Sequence, residues 1–359
     1  MRIDTIHIVQ KLAPGGIETL VLDLLVSGGG ATHVFSLDGT TDGLVSSWPA
    51  LEAVRDLIVG FDHKGGFSPR LMQRLAGELA ARRPRAVVVH HMGPLVYGGI
   101  AARLARVPVL VHVEHDGWHL EGGKDGRLTQ MVEWLSRPRH VAVSQAVSDS
   151  LAAVLPHAEI RVITNGLDLA RFMPGDKAAA RRRLGLPVAG RIIGSVGRLT
   201  RVKGHDVLVA AAELLPADVL VAIVGDGAEA ANLHALASSR GVGERVRFLG
   251  QRDDIAAILP AFDVFCLPSR SEGLPRSIIE AQACGVPVVA TDVGGVSEAI
   301  CPLSGALVPP EDPAALAVAL TEVLAASSLL SPRPFVEQRF AWADTLAGYA
   351  EVTGVRHAA

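Results

Sequence analysis

Residues 269–295 read SRSEGLPRSIIEAQACGVPVVATDVGG, which predicts a loop, a helix and then an apolar strand. Two carboxylates, Glu272 and Glu280, flank the predicted start of the helix, where Pro275 suits the first helical position. Carboxylates accept hydrogen bonds from hydroxyl groups, and the free N–H groups at a helix N-terminus bind anions. The stretch therefore predicts a site for a ligand with both hydroxyl groups and negative charge, such as a nucleotide-sugar. The alternative is an acid that complements the helix dipole and a second, exposed acid.

The composition is that of a globular protein with about two domains. The chain has 359 residues, of which 49% are hydrophobic. Its formal net charge of −3 argues against nucleic acid as a partner. Three scattered cysteines predict a reduced, cytoplasmic protein. No apolar run approaches the roughly 20 residues that a membrane span needs.

Short apolar runs alternate with longer helical patterns, which is typical of parallel βαβ units. The alternation stops over Asn165–Pro187, a stretch rich in glycine and proline. We therefore expect an α/β fold of two doubly wound parallel-sheet domains, residues 1–165 and 166–334, that face each other across a cleft. A last helix over Phe335–Thr353, within the segment 335–359, is expected to pack across the domain junction. Since ligands bind beyond the carboxyl ends of such strands, the cleft is the expected site.

A strand-end loop in the second half carries two basic residues. Residues 194–205 read GSVGRLTRVKGH, which predicts the end of a strand, a loop and a new helix. Arg198 and Lys203 follow the strand together, and a guanidinium with an ammonium group suits a diphosphate. The alternative is a solvated basic loop.

Two other glycine loops follow predicted strands. Gly15 and Gly16 allow a phosphate to approach the backbone at the start of a helix. Gly225, Asp226 and Gly227 form a similar loop in the second half. Each is weak evidence alone, because tight turns use glycine for geometry. Neither loop has the GxGxxG pattern, and the chain has no GxxxxGK[ST] phosphate loop.

Polar side chains cluster at and just after the predicted strand Val109–Val113, namely His112, Glu114, His115, Asp116 and His119. A metal site is conceivable, but the chain has no HExxH motif and no D-x-D carboxylate pair. We therefore expect no metal and no other cofactor. His115 is interpreted as an imidazole that hydrogen-bonds a reacting sugar, and the alternative is a loop histidine with satisfied neighbours.

Several arginines follow one another along a predicted helix, chiefly Arg70, Arg74, Arg82 and Arg83. Such runs are usually solvated helix faces. The second interpretation is peripheral docking to anionic lipid headgroups on the inner face of a membrane.

Together these motifs resemble the retaining glycosyltransferases of family 4, whose GT-B fold has two facing Rossmann-like domains. The resemblance covers essentially the whole chain and includes Gly15-Gly16, Asn165-Gly166, Gly197-Arg198, Lys203-Gly204, Gly225-Asp226-Gly227 and the two-glutamate block. It implies transfer of a sugar from a UDP- or GDP-type donor to an acceptor hydroxyl, with retention of anomeric configuration. Carbohydrate or lipid-linked acceptors in cell-surface polysaccharide or glycolipid synthesis are the implied setting.

The resemblance also implies roles for single residues. Arg198 and Lys203 would hold the donor diphosphate, and Glu280 the ribose. Glu272, with the backbone of Gly273-Leu274, would hold the hydroxyl groups of the donor sugar.

The remaining implied roles are less specific. His115 resembles a family histidine near the transferred sugar, and the nucleotide base would lie against the backbone around Leu249. Asp226 and the loop of Gly15 and Gly16 would complete the donor site.

Three alternative functions stay open at this point. A sugar epimerase or phosphorylase shares the architecture, although the lysine motif of a phosphorylase is not recognisable. A dinucleotide-dependent oxidoreductase would need the missing glycine fingerprint. A nucleotide-sugar-binding protein without catalysis is disfavoured by the intact Arg198, Lys203 and Glu272.

Overall fold

The computed structural model describes residues 3–117, 124–326 and 330–355, with residues 124–126 described by their backbone alone. The chain divides into two compact units, Met1–Asn165 with Ala343–Ala359 and Gly166–Trp342. The chain thus leaves the first unit after Asn165 and returns to it with its last helix.

Within the described residues, the first unit contains a seven-stranded parallel sheet. Its strands are β1 (Thr5–Val9), β2 (Thr32–Ser36), β3 (Ile58–Gly60), β4 (Ala86–His90), β5 (Val109–Glu114), β6 (Arg139–Ala142) and β7 (Ile160–Val162). Their spatial order is β3-β2-β1-β4-β5-β6-β7, so the chain runs from the middle to one edge and then to the other. This is a doubly wound topology, and all five residues of β4 are buried, as expected for a strand covered on both faces.

The helices of the first unit are α1 (Gly16–Ser27), α2 (Thr41–Ser47), α3 (Pro69–Arg82), α4 (Met92–Pro94), α5 (Ile100–Leu104), α6 (Lys124–Ser136) and α7 (Gln145–Val154). Local chemistry starts several of them. The Ser68 hydroxyl accepts a hydrogen bond from the Leu71 N–H at 3.3 Å, and Pro69 takes the first helical position of α3. Ser144 caps α7 in the same way.

The described part of the second unit contains a six-stranded parallel sheet. Its strands are β8 (Arg191–Val196), β9 (Val219–Val224), β10 (Val246–Phe248), β11 (Val264–Leu267), β12 (Val288–Thr291) and β13 (Ala306–Val308), in the order β10-β9-β8-β11-β12-β13. The helices are α8 (Lys177–Arg183), α9 (His205–Leu214), α10 (Ala230–Ser239), α11 (Ile255–Ile258), α12 (Arg276–Ala283), α13 (Val296–Ala299), α14 (Pro313–Ala325) and α15 (Arg333–Arg339). Helix α16 (Trp342–Thr353) follows. The expected fold class, two Rossmann-like parallel-sheet units, is confirmed.

The predicted single helix over Phe335–Thr353 is wrong. It is two helices, α15 and α16, because the chain leaves the helical conformation at Phe340 and Ala341. The Leu167 N–H donates to the Phe340 carbonyl at 2.9 Å, and Ala341 forms a parallel bridge with Leu167. Helix α16 is then tied to the first unit, since the Thr345 hydroxyl donates to the Thr164 carbonyl at 2.8 Å.

Strand β13 and helix α14 were not predicted. The start of helix α14 is recognisable in the sequence as Asp312 followed by Pro313. Asp312 accepts hydrogen bonds from the N–H groups of Ala314 and Ala315, and Pro313 takes the first helical position.

Candidate functional site

Two of the predicted site residues of the second unit contact each other directly. The Lys203 Nζ lies 2.6 Å from Glu272 Oε1, which also accepts a hydrogen bond from the Ser269 hydroxyl at 2.6 Å. Lys203 follows β8 and Glu272 follows β11, and these strands are neighbours in the sheet. The side chains are 21% and 8% exposed, so the pair is mostly sheltered but still reachable by a ligand.

Glycines let the loops around this pair approach one another. Gly204 has φ +63°, and a Cβ there would lie 1.9 Å from the Pro268 carbonyl oxygen. Gly294 has φ +52°, and a Cβ there would lie 1.8 Å from the carbonyl oxygen of Glu272. Both positions therefore require glycine for conformation and for space.

Sequence reasoning missed three supporting residues. Ser269 bonds Glu272, Thr291 Oγ1 donates to the Ser269 carbonyl at 2.5 Å, and Gly294 packs on the Glu272 backbone. All three belong to the stretch 269–295. Hydroxyl-bearing residues at the ends of two apolar strands were the available signal.

Arg198 lies in the loop that follows β8, and its side chain is exposed. The loop rests on the neighbouring glycine loop, because the Leu199 N–H donates to the Asp226 carbonyl at 2.9 Å. Gly225 has φ +144°, and a Cβ there would lie 1.9 Å from the Gly197 carbonyl oxygen. The glycine therefore serves loop packing, which is the geometric interpretation of this motif.

Asp226 and Leu249 lie at strand ends beside this loop. The Asp226 carboxylate accepts a hydrogen bond from the Gly227 N–H at 2.7 Å and is exposed. The Leu249 N–H donates to the Ile223 carbonyl at 2.8 Å, which extends the sheet ladder by one residue beyond β10.

Glu280 lies on α12, where its Oε1 is 3.8 Å from Nε of Arg276, a residue that is itself buried. Helix α12 begins at Arg276, so the prediction that Pro275 is the first helical residue is wrong by one position. The ψ of Pro275 is 107°, which makes it an extended N-cap. The preceding Gly273-Leu274 is buried.

In the first unit, His115 is one end of a chain of three histidines. His7 Nδ1 lies 3.0 Å from His90 Nε2, and His90 Nδ1 lies 2.9 Å from His115 Nε2. The three residues come from the adjacent strands β1 and β4 and from the residue after β5. Sequence reasoning found His115 but missed His7 and His90. Each of them is a polar residue in a mostly apolar strand, which was the feature that could have identified it.

An acidic group lies next to this chain. His91 Nδ1 is 2.5 Å from Glu114 Oε1, and His91 Nε2 is 3.6 Å from Asp116 Oδ2. One ligand atom from each of the three residues lies within 4.8 Å of the others, a spacing that could hold a metal ion. Each ring nitrogen faces a different carboxylate, however, so a histidine held between two acids accounts for the contacts. His119, which was predicted in this cluster, lies outside the described residues.

Burial keeps the central histidines neutral. It lowers the pKa of His90 and of His115 well below 6.5, and neighbouring histidines lower both further, although Glu114 opposes the effect at His115. Burial likewise lowers the pKa of His140 to about 3 and that of His205 to about 4.

Protein stability is therefore expected to fall as the pH drops from 7 to 5. Between 6.5 and its folded-state pKa, a buried histidine binds a proton in the unfolded chain but not in the native state, so acid favours unfolding. For His205 this amounts to about 2 kcal/mol at pH 5. Urea unfolding of His205→Gln, followed at pH 7 and pH 5, should show a correspondingly weaker pH dependence. The same slope in His205→Gln and His140→Gln as in the wild type would contradict the assignment.

Gly15 and Gly16 lie at the start of α1, where Gly16 is the first helical residue. Gly15 is the N-cap, and a Cβ there would lie 2.4 Å from a carboxylate oxygen of Glu18. An acid in the first helical turn thus lies beside the N-terminus that was predicted to approach a phosphate. Gly16 is exposed, with open space around it.

The arginines predicted to form a basic surface lie on α3 or at its end, and only some of them are exposed. Arg74 donates to the Phe61 carbonyl at 3.0 Å, and Arg82 lies 2.9 Å from the Glu78 carboxylate. Arg70 and Arg83 are exposed. None of the described helices is both long enough and apolar enough to cross a membrane.

Two family models match the chain. The model described as "Glycosyltransferase Family 4" matches residues 14–171, and the model described as "Glycosyl transferases group 1" matches residues 176–333. The two matches lie in the first and the second unit, respectively, apart from a few residues at the junction.

Curated relatives match part of the chain. A D-inositol 3-phosphate glycosyltransferase of Mycolicibacterium gilvum is 45% identical over 212 residues, which cover 54% of this chain and 48% of the relative. The enzyme of that name from Salinispora arenicola is 39% identical over 220 residues, with 54% and 49% covered. The chain spans about half the length of the curated relatives it matches.

Solved structures match over nearly the full length. The Anabaena protein HepE in complex with UDP has a TM-score of 0.83 at 24% identity and covers 98% of this chain, with all of its own chain covered. Sucrose-phosphate synthase of Thermosynechococcus elongatus has a TM-score of 0.78 at 24% identity, with 98% and 99% covered. At this identity the likeness is one of fold.

Proposed function

The chain belongs to glycosyltransferase family 4, and on that premise we propose that it moves a sugar from a UDP- or GDP-type nucleotide-sugar to an acceptor hydroxyl with retention of configuration. The observation that carries the proposal is the contact between Lys203 and Glu272. It places a cation for the donor phosphates beside a carboxylate for the donor sugar hydroxyls. The fold neighbour HepE has been solved with UDP and with UDP-glucose, which supports a donor of this class.

In the proposed donor complex, Lys203 and Arg198 hold the diphosphate. Glu272 and the backbone of Gly273-Leu274 hold the sugar, and Glu280 accepts hydrogen bonds from the ribose. The backbone around Leu249 lies against the base. The position of Arg198 supports its proposed role. Its side chain is exposed just after the carboxyl end of β8 and shortly before the turn that carries Lys203.

The proposed contribution of Asp226, Gly15 and Gly16 is smaller. The Asp226 carboxylate is already bonded to the adjacent Gly227 N–H, so its loop would contribute mainly through its backbone. Glu18 stands beside Gly15, so a phosphate there would have to displace a carboxylate.

The proposed chemistry is a same-face transfer. The bond between the sugar's anomeric carbon and the phosphate oxygen breaks, the acceptor oxygen bonds to that carbon, and the departing phosphate takes the acceptor's proton. Negative charge grows on the leaving diphosphate, so Lys203 and Arg198 act mainly by stabilising the transition state. In this proposal these two cations supply the charge that a divalent metal supplies elsewhere.

The acceptor is proposed to bind loops of the first unit. Phe67 is 74% exposed, yet its ring stacks on Tyr97, whose hydroxyl donates to the Gly66 carbonyl at 2.6 Å. An exposed ring held in place supports contact with the face of an acceptor sugar. A carbohydrate or a lipid-linked acceptor fits this proposal. The exposed Arg70 lies in the first turn of α3, three residues after Phe67, and would extend this surface toward anionic lipid, whereas the exposed Arg83 lies at the other end of that helix.

The test is a panel of UDP- and GDP-sugars incubated with the purified protein, with nucleoside diphosphate release as the readout. We expect slow release with one donor, faster release when the correct acceptor hydroxyl is present, and no loss of activity with EDTA. Proton NMR of the product should show the donor's anomeric configuration. No nucleotide release with any donor would reject the proposal, and sugar epimerisation without an acceptor would favour an epimerase. A loss of activity in EDTA would overturn the expected independence from metal.

A further inference from the structure

We propose that His7 and His90 are positioning residues that determine which ring nitrogen of His115 carries its proton. The proposal rests on the proposed transferase function and on the role that the family resemblance implies for His115, a contact with the transferred sugar. It adds two residues that no sequence motif connects with the site.

The geometry is that of a continuous hydrogen-bonded chain. The two N···N distances are 3.0 and 2.9 Å, and the successive rings are nearly parallel, at 23° and 28°. His7, His90 and His115 are only 1%, 2% and 5% exposed, so water does not compete for these contacts. The neighbouring strands β1 and β4 hold the first two rings in place.

Proton counting couples the tautomers of the three rings. A neutral imidazole has one N–H donor and one bare nitrogen acceptor, and each N···N contact needs one of each. If His90 donates to His115 Nε2, then His115 must carry its proton on Nδ1, and His90 must accept from His7. If instead His115 Nε2 donates to His90, then His115 Nδ1 is bare and His90 donates to His7. The tautomers of all three rings therefore change together.

The surroundings support neutral rings. His91, His112 and Glu114 face His115, and burial with the nearby histidines lowers its pKa well below 6.5. The Glu114 Oε1 also accepts a hydrogen bond from the His115 backbone N–H at 2.9 Å, so this carboxylate anchors the main chain. With its backbone and Nε2 both held, His115 has one ring nitrogen left.

That nitrogen, Nδ1, is buried and has no hydrogen-bond partner among the described residues. A buried polar atom without a partner is costly, so each one in a native structure calls for an explanation, of which a role in binding or catalysis is one. In the proposal, Nδ1 meets a hydroxyl of the bound sugar, either as an acceptor or as a donor. His7 and His90 select one of these two states before the sugar arrives.

The test reads the tautomer directly by NMR of protein labelled with nitrogen-15 histidine, with the His115 signals identified by their loss in His115→Gln. We expect His115 to show a single tautomer in the wild-type protein, with one protonated and one bare nitrogen. In His7→Phe and in His90→Phe we expect it to populate both tautomers. The control is His33→Phe, because His33 is half-buried on β2 and does not belong to the three hydrogen-bonded histidines. This variant should leave the His115 signals unchanged.

The kinetic arm asks whether the tautomer matters. His7→Phe and His90→Phe should lower kcat by about 10- to 100-fold with little change in the KM for the donor. His90→Gln, which keeps a donor group and an acceptor group, should recover part of kcat. Thermal unfolding shows whether each variant has folded. If His7→Phe fails to fold, His7→Gln takes its place.

An unchanged His115 tautomer in both folded Phe variants would overturn the proposal. So would normal kcat in variants whose tautomer has changed. If the wild-type protein transfers no sugar, the proposed function fails, whereas the NMR result on the coupling between the rings stands by itself.

Discussion

Lys203→Ala is expected to lower kcat by about 100- to 1,000-fold, the usual effect of removing one preorganised group that stabilises charge in a transition state. The Lys203 ammonium is 2.6 Å from Glu272 Oε1. The substitution therefore removes the positive charge proposed to bind the donor phosphates, and it also leaves the sheltered Glu272 carboxylate without this partner. We expect the fold to persist, because the Ser269 hydroxyl still bonds Glu272. Single-turnover release of nucleoside diphosphate from the correct donor is the measurement.

Two variants separate the possible causes of that loss. Arg201→Ala removes an exposed positive charge two residues away in the same turn and should leave kcat within about threefold. Lys203→Ala combined with Glu272→Gln removes the unpaired carboxylate charge and should restore stability without restoring turnover. Near-normal transfer by Lys203→Ala would remove Lys203 from the site.

Gly294→Ala is expected to lower kcat/KM by about 100-fold, although Gly294 itself has no role in the chemistry. A Cβ at this position would lie 1.8 Å from the Glu272 carbonyl oxygen, so the loop that carries Glu272 must move. A displacement of about 1 Å at a reacting group commonly costs this much in rate. The assay is sugar transfer at subsaturating donor.

Gly241→Ala is the matched control for backbone strain. Gly241 has φ +67°, similar to the +52° of Gly294, but a Cβ there would meet nothing within 4 Å. Both variants should lose about 1 kcal/mol of stability from the left-handed conformation. Only Gly294→Ala should lose activity, and equal activity in the two variants would contradict the role assigned to this contact.

The regular elements of the fold were largely predictable. The strand predicted over Val109–Val113 is observed as Val109–Glu114, because it is an apolar run that ends at polar residues. The errors lie where a distant contact overrides local preference. The predicted Phe335–Thr353 helix breaks because residues 340 and 341 contact Leu167, far away in the chain.

The donor-side residues were predictable for a related reason. Glu272 and Glu280 belong to one strand-loop-helix segment, so both can be recognised from a single continuous stretch of sequence. Arg198 and Lys203 belong to a second such segment. Ser269 and Thr291 were missed because hydroxyl residues at strand ends are common, and only their contacts in the tertiary structure distinguish these two.

By itself, the sequence determined the fold class and the residue types that follow each strand, because both are local properties of the chain. The tertiary structure alone decided which of those residues meet. Lys203 and Glu272 are 69 positions apart, and His7 and His90 are 83 positions apart. Each pair is joined because a doubly wound sheet places non-consecutive strands, β8 with β11 and β1 with β4, side by side. That order depends on how the whole sheet assembles, and no local pattern records it.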